Sequence, residues 1–315
     1  SASKASTNSW LQSYANQIKA FWEFSRPHTI IGTSLSVLGL YAIAFANSSV
    51  DFSIAQLIQL LVSWIACLCG NIYIVGLNQL EDIEIDRINK PHLPIAAGEF
   101  SRRQAQIIVV ITGILALLLA WLMGPFLLLM VSVSLAFGTA YSLPPIRLKR
   151  FPFWAALCIF SVRGVVVNLG LFLHFNQKMQ NTNLILVTPE VWALTLFVLV
   201  FTFAIAIFKD IPDLEGDRQY NITTFTIQMG TLAVFNLALW VLTVCYLGMV
   251  IAGGFYLSVN RAFLVIFQLI ALTLMWWQSR NVDLKDKSSI AKYYQFIWKL
   301  FFLEYLIFPI ACLLP

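Results

Sequence analysis

The chain has 315 residues, 59% of them hydrophobic and only 11% charged, with a mean hydropathy of +0.79 and a net charge of +5. A soluble globular domain carries about 25% charged and roughly 45–50% apolar residues, so this composition excludes an ordinary water-soluble protein and requires lipid as the solvent. The five cysteines lie in apolar runs without a CxxC pair and the three histidines are scattered, which argues against a zinc or redox centre.

The polar run Ser1–Asn8 has no apolar core or cleavage site, so neither a signal peptide nor an Arg/Ser-rich transit peptide is expected there. Trp10, Leu11, Tyr14, Ile18, Phe21 and Trp22 then recur at helical spacing, which predicts an amphipathic helix lying in the membrane interface within residues 1–25. From residue 26 on, a single transmembrane domain is expected. A spanning helix needs about 20 mostly apolar residues, and windows of that size give about nine candidates. They centre on Thr29–Phe45, Ile54–Leu80, Arg103–Leu122, Phe126–Tyr141, Phe153–Phe175, Val191–Phe208, Leu232–Ile251, Ala262–Trp277 and Phe296–Leu314.

The connections alternate in charge. All of the 20 Lys and Arg except Arg163, Lys178 and Arg261 fall in the N-terminal segment, Lys4 included, or follow the second, fourth, sixth and eighth spans. The positive-inside rule puts these on the cytoplasmic or stromal side, with the C-terminus opposite. The positive charge therefore reflects topology and does not argue for nucleic acid.

Two of these loops are also acidic. Asn78-Gln79-Leu80-Glu81-Asp82-Ile83-Glu84-Ile85-Asp86-Arg87 follows the second span, and Lys209-Asp210-Ile211-Pro212-Asp213-Leu214-Glu215-Gly216-Asp217-Arg218 follows the sixth. A shift of 131 residues superimposes Asp82 on Asp213, Glu84 on Glu215, Asp86 on Asp217 and Arg87 on Arg218. This is an internal repeat with one acidic motif per half. The two blocks hold eight of the 15 acids. On a continuous helix Asn78, Asp82 and Asp86 share one face, as do Asp210, Asp213 and Asp217. Clustered carboxylates without His or Cys suit Mg²⁺ bridging to substrate phosphates. Tyr141-Ser142-Leu143-Pro144-Pro145-Ile146-Arg147-Leu148-Lys149-Arg150 lies on the same side, where its bases can hold phosphate oxygens.

At these residues the chain resembles the UbiA superfamily of intramembrane aromatic prenyltransferases, which pairs an NxxxDxxxD motif with a second DxxxD motif on a bundle of nine transmembrane helices. The resemblance implies an all-α membrane fold with a central cavity under a cytoplasmic-side cap of loops. It implies Asn78, Asp82, Asp86, Asp210, Asp213 and Asp217 as Mg²⁺–diphosphate ligands, with Asp82, Asp86, Asp213, Asp217 and Lys149 catalytic. Asn78, Asp210, Arg147, Lys149, Arg150, Arg87 and Arg218 are expected around the diphosphate.

A closer likeness runs nearly the length of the chain. FSRPHT from Phe24, NQLEDIEIDRINKPHLPIAAGEFS from Asn78, YSLPPIRLKRF from Tyr141, VRGVVVNLGLF from Val162, FKDIPDLEGDR from Phe208 and YQFIWKLFFLEYLIFP from Tyr294 are similar to homogentisate prenyltransferases. The KDIPDLEGD block departs from the menaquinone-type repeat and fits this subgroup. With no transit peptide, the cyanobacterial phytyltransferases are favoured, and hence a thylakoid or plasma membrane. The resemblance implies Mg²⁺-dependent transfer from phytyl diphosphate to homogentisate with decarboxylation, giving 2-methyl-6-phytyl-1,4-benzoquinol for tocopherol (vitamin E) biosynthesis. Geranylgeranyl or solanesyl donors, chlorophyll esterification and, in another class, a cation-coupled transporter with acids near the bilayer midplane are the alternatives. The allylic cation left when diphosphate departs is expected to meet many Phe and Trp rings. Intramembrane polar residues are functional candidates by position. Arg163, Asn168, His28 and Arg26 are candidates for the aromatic acceptor, and Lys299 and Glu304 are each expected to pair with a neighbouring helix. The oligomeric state is left open.

Overall fold

A computed structural model describes residues 2–315, with side chains from residue 7 on, so Lys4 lies outside the described side chains. Helix α1 (Ala2–Phe24) precedes α2 (Pro27–Ala46), α3 (Ile54–Glu81), the short α4 (Ile83–Asn89), α5 (Arg102–Met123) and α6 (Pro125–Ser142). Then come α7 (Pro152–Phe160), a π-helical turn (Ser161–Val166), α8 (Val167–Gln180), α9 (Pro189–Phe208), the short α10 (Leu214–Gln219) and α11 (Phe225–Met229). Helices α12 (Thr231–Phe255), α13 (Arg261–Ser279) and α14 (Lys287–Leu313) complete the chain. Among the described residues nine segments are long and apolar enough to cross a membrane, with α7, the π turn and α8 forming one of them.

The starts of these helices are written locally. Ser53 caps α3 by accepting from the Gln56 N–H, and Ser101 forms a reciprocal capping box with Gln104 at α5. Pro27 opens α2, where its missing N–H costs nothing. The last span begins nine residues earlier than its apolar window, because Asp286 caps a helix whose first two turns are polar. Hydropathy finds only its apolar part.

Many side chains facing away from the bundle are apolar: Ile107, Ile111, Ile114 and Trp121 on α5, and Trp240, Val244 and Ile251 on α12, are all exposed. In water this would be one large sticky patch; in lipid it is the correct surface. This is an integral, multi-pass membrane protein. Helix α3 packs along α5, α2 along α14 and α8, and α9 along α12. At Gly164 a Cβ would lie 2.6 Å from the Leu199 Cα, so glycine is required for the π turn to press against α9.

Connections cluster at two ends. At one, Gln79 Nε2 donates to the Phe24 carbonyl, Lys287 Nζ to the Asn89 carbonyl and the Thr223 N–H to the Arg150 carbonyl. At the other, Gln180 Nε2 donates to the Asn47 carbonyl and Asn260 Nδ2 to the Pro315 carbonyl. The loops after α3, α6, α9 and α13 thus form one polar cap, with α4 packed against α10.

Candidate active site

The first acidic motif almost continues α3. The helix ends at Glu81 and restarts at Ile83, yet the Asp82 N–H donates to the Asn78 carbonyl and the Asp86 N–H to the Asp82 carbonyl. The four-residue ladder therefore survives the break and keeps Asn78, Asp82 and Asp86 on one face. In the second motif a turn separates α9 from α10, and the Asp217 N–H donates to the Asp213 carbonyl. The two motifs meet directly. Asn89 Oδ1 accepts the Gly216 N–H at 3.0 Å, and a Cβ at residue 216 would strike Asn89 at 2.6 Å.

All six expected ligand residues lie in this cap; Asp82, Asp86, Asp210, Asp213 and Asp217 are buried, and Asn78 Nδ2 donates to Ser142 Oγ. Their counter-charges are specific. Asp82 is paired with both Arg147 (2.7 Å) and Lys149, Asp213 with Lys90 (2.5 Å), and Asp210 with Lys209 (2.8 Å). Burial pushes Asp213 up, but Lys90 and Lys209 outweigh it and hold the carboxyl below its ordinary value. Asp86 and Asp217 make no ion pair and no side-chain hydrogen bond among the described residues. Burial pushes Asp86 up to about 6 and Asp217 up to about 7, with Asp82 and Asp213 respectively adding to the rise.

Among the described residues no three His, Cys, Asp or Glu converge as a ready metal site. The donor chemistry nonetheless fits Mg²⁺: two buried carboxylates without counter-ions face neighbouring acids that hold only exchangeable lysine or arginine partners, and all the donors are oxygens. A hard dication would fill the deficit at Asp86 and Asp217.

Beneath the cap is a cavity of about 580 Å³. Its mouth carries Arg26, Lys90, Lys149, Lys209 and Lys287 together with Asn78 and Asp213; its depth is mostly apolar. Lys209 Nζ also sits 6.0 Å from the Tyr141 ring centroid. A polyanionic head and an apolar tail are the ligand this shape suits.

Several expectations need correction. Arg87 pairs with Glu84 at the surface, Arg150 is exposed and donates to the Pro145 carbonyl, and Arg218 is exposed; none lines the cavity. Asn168 is fully buried off the cavity, donating to the Gly164 carbonyl and accepting from the Tyr305 hydroxyl. Arg26, His28 and Arg163 do line it, and the Arg163 guanidinium stacks 5.2 Å above the Trp298 ring with no carboxylate partner among the described residues. The aromatic lining is Phe137, Tyr141, Tyr294 and Trp298; most phenylalanines pack between helices or face lipid. Glu304 pairs with Gln268 of α13 as expected, whereas Lys299 is exposed and makes no ion pair among the described residues. The acids sit at the cap rather than at mid-span, which removes the transporter reading.

Sequence reasoning missed Lys90 and Lys209 as site residues. The repeat itself held one signal: the 131-residue shift places Lys209 on Asn78. Lys90 follows Asp86 at four residues, one helical turn, but its partner Asp213 is supplied by the other half.

A family model for the UbiA prenyltransferase family matches residues 35–300, and the chain belongs to that family. Homogentisate phytyltransferase of Synechocystis sp. is 56% identical over 95% of this chain and 97% of its own length. Chloroplastic homogentisate phytyltransferase 1 of Arabidopsis thaliana is 39% identical over 96% of this chain and 78% of its own. Among solved structures, a UbiA homolog from Archaeoglobus fulgidus bound to GPP and Mg²⁺ superposes with a TM-score of 0.63 at 16% identity, covering 93% of this chain and 99% of that one. The chain is thus a membrane-embedded prenyltransferase.

Proposed function

We propose that this prenyltransferase moves a phytyl group from phytyl diphosphate to homogentisate, with loss of CO₂, to give 2-methyl-6-phytyl-1,4-benzoquinol for tocopherol formation. The observation that carries this reading is the 56% identity to a homogentisate phytyltransferase across nearly the whole of both chains. The cationic mouth over an apolar cavity agrees with it.

Asn78, Asp82, Asp86, Asp210, Asp213 and Asp217 would hold Mg²⁺, as expected from a fold neighbour that binds GPP and Mg²⁺. Bound there, Mg²⁺ would neutralise charge on the diphosphate and ease its departure. Lys149, Lys209 and Lys90, at the cavity mouth, bind phosphate oxygens and receive the negative charge that develops as the C–O bond breaks, while Arg147, off the cavity lining, holds Asp82. The rings of Tyr141, Tyr294 and Trp298 line the cavity beneath and offer π faces to the allylic cation. The apolar walls exclude water, which would quench it. Arg163, half-buried in the cavity wall and without an acid partner among the described residues, binds the acceptor carboxylate, with Arg26 and His28 also lining the cavity.

The proton account closes without a dedicated base. The attacked ring carbon forms a bond to the prenyl C1 and releases its proton. The benzylic carbon loses CO₂ and takes a proton up. Diphosphate leaves with the electron pair of the C–O bond.

The cap faces the cytoplasm in a cyanobacterial thylakoid or plasma membrane, and α1, exposed at Trp10, Leu11, Tyr14, Ile18 and Trp22, lies in the interface. The test is product analysis by mass spectrometry. Protein in lipid receives Mg²⁺, homogentisate and, separately, phytyl, geranylgeranyl and solanesyl diphosphates. A decarboxylated prenyl quinol formed fastest from the phytyl donor and lost with EDTA supports the proposal; no product from homogentisate contradicts it.

A further inference from the structure

The cavity has a bottom. Its deepest lining residues are Val37 on α2, Cys67 on α3, Met130 on α6 and Leu171 on α8, buried together in the packed interior. Along α3 the lining runs from Asn78 to Cys67, eleven residues and so about 16 Å of helix. Met130 is held across this floor because α8 carries Gly170 opposite it: a Cβ there would lie 2.5 Å from the Met130 Cβ and 3.1 Å from its sulfur.

One turn deeper on the same helices lies a second, tighter layer. Ser63 Oγ hydrogen-bonds His174 Nε2 at 3.1 Å, tying α3 to α8, and both side chains are fully buried. Tyr41 meets the edge of Phe175 at 5.2 Å between ring centroids, tying α2 to α8. None of these four lines the cavity.

We propose that Val37, Cys67, Met130 and Leu171 are a chain-length gauge for the prenyl donor, with the Ser63–His174 and Tyr41–Phe175 contacts as its backstop. This rests on the reading that prenyl diphosphate enters head-up, its diphosphate at the lysine mouth. The end of the chain then meets the floor, and the four residues select length without touching the reacting atoms. The two layers make the gauge stepwise. Removing one floor side chain opens the cavity towards the next layer, which lies about one helical turn, roughly 5.4 Å, deeper. The backstop stops further extension.

The experiment reads donor binding and transfer separately. Dissociation constants for farnesyl, geranylgeranyl, geranylfarnesyl and solanesyl diphosphates are measured by calorimetry with Mg²⁺ and no acceptor, for the wild type, Met130→Ala, Leu171→Ala and Cys67→Phe. Ratios between donors on the same sample cancel any unfolded fraction. The wild type should prefer geranylgeranyl over geranylfarnesyl diphosphate by about 10-fold or more, the discrimination a steric pocket end supplies. Met130→Ala and Leu171→Ala should erase that preference while still rejecting solanesyl diphosphate. Cys67→Phe should move the preference about 10-fold towards the farnesyl donor. Equal ratios in all four proteins, or a wild type that binds solanesyl as tightly as geranylgeranyl diphosphate, would overturn the gauge and show that the chain leaves by another route. Transfer to homogentisate is scored apart: shifted binding ratios with no quinol product leave the gauge standing and count against the acceptor alone.

Discussion

Lys90 and Asp213 are 123 positions apart and belong to opposite halves of the repeat, yet Nζ lies 2.5 Å from Oδ2. This pair, with the Asn89–Gly216 hydrogen bond beside it, draws the two acidic motifs together under one cap.

Breaking one partner of a mostly buried pair leaves the other uncompensated, whereas removing both is cheaper. Lys90→Met and Asp213→Asn should each destabilise the metal-free protein, and the double variant should be less destabilised than the sum, with a coupling of about 1 kcal/mol or more. Thermal unfolding in detergent measures this. Strict additivity would mean that the contact carries no energy.

Metal binding should release protons. Burial pushes Asp86 up to about 6 and Asp217 up to about 7, above an ordinary carboxyl at about 3.9, and the lysines nearby do not offset it. A raised folded-state pKa favours the metal-free fold below the ordinary carboxyl value of about 3.9, and that contribution is lost progressively as pH rises from there through about 6 to 7. Mg²⁺ must displace these protons, so its affinity should climb over the same interval and then level off. Calorimetry in two buffers of different ionisation enthalpy reads the proton release directly; a pH-independent affinity without release would contradict the assignment.

Arg163 should set acceptor affinity. Charge-assisted hydrogen bonds contribute about 1.5–3 kcal/mol, so Arg163→Met should raise the homogentisate KM by roughly 10- to 100-fold and leave the donor KM nearly unchanged. Arg163→Lys should rescue little, because lysine supplies neither the fork nor the stacking over Trp298. A larger effect on the donor than on the acceptor would place Arg163 with the diphosphate instead.

The basic residues of the cap should separate into two groups. Lys149→Ala removes a half-buried ion-pair partner of Asp82 at the cavity mouth and should cost about 10²-fold or more in kcat/KM. Arg150→Ala and Arg218→Ala remove exposed charges off the cavity and should stay within about 2-fold of the wild type, as surface charges usually do. Steady-state kinetics on the three variants decides this, and equal losses would erase the distinction.

The acidic motifs could be read from the chain because they are local: four-residue spacing on a helix carries its own geometry, and scarcity of charge elsewhere made the two blocks conspicuous. The nine spans were readable for the same reason. What spacing cannot show is which cation each acid meets, since the partners of Asp82 and Asp213 come from distant loops. Arg147, Lys149 and Arg150 are near neighbours, yet the short turn over Leu148–Arg150 sends two inward and one out. Asn168 looked like a ligand residue because it is polar in a span. Its bonds to the Gly164 carbonyl and Tyr305 instead place it in the packing beside the π turn, a departure from regular helix that hydropathy does not register.

The central claim is that two acidic motifs activate a prenyl diphosphate for decarboxylative transfer to homogentisate. The most direct measurement follows ¹³C-carboxyl homogentisate with phytyl diphosphate and Mg²⁺, counting labelled CO₂, diphosphate and prenyl quinol for the wild type, Asp82→Asn and Asp213→Asn. Equal yields of all three products from the wild type are expected, and at least about 10³-fold less from either variant despite native behaviour on gel filtration. A product that keeps its labelled carboxyl, or an Asn variant with wild-type turnover, would contradict it.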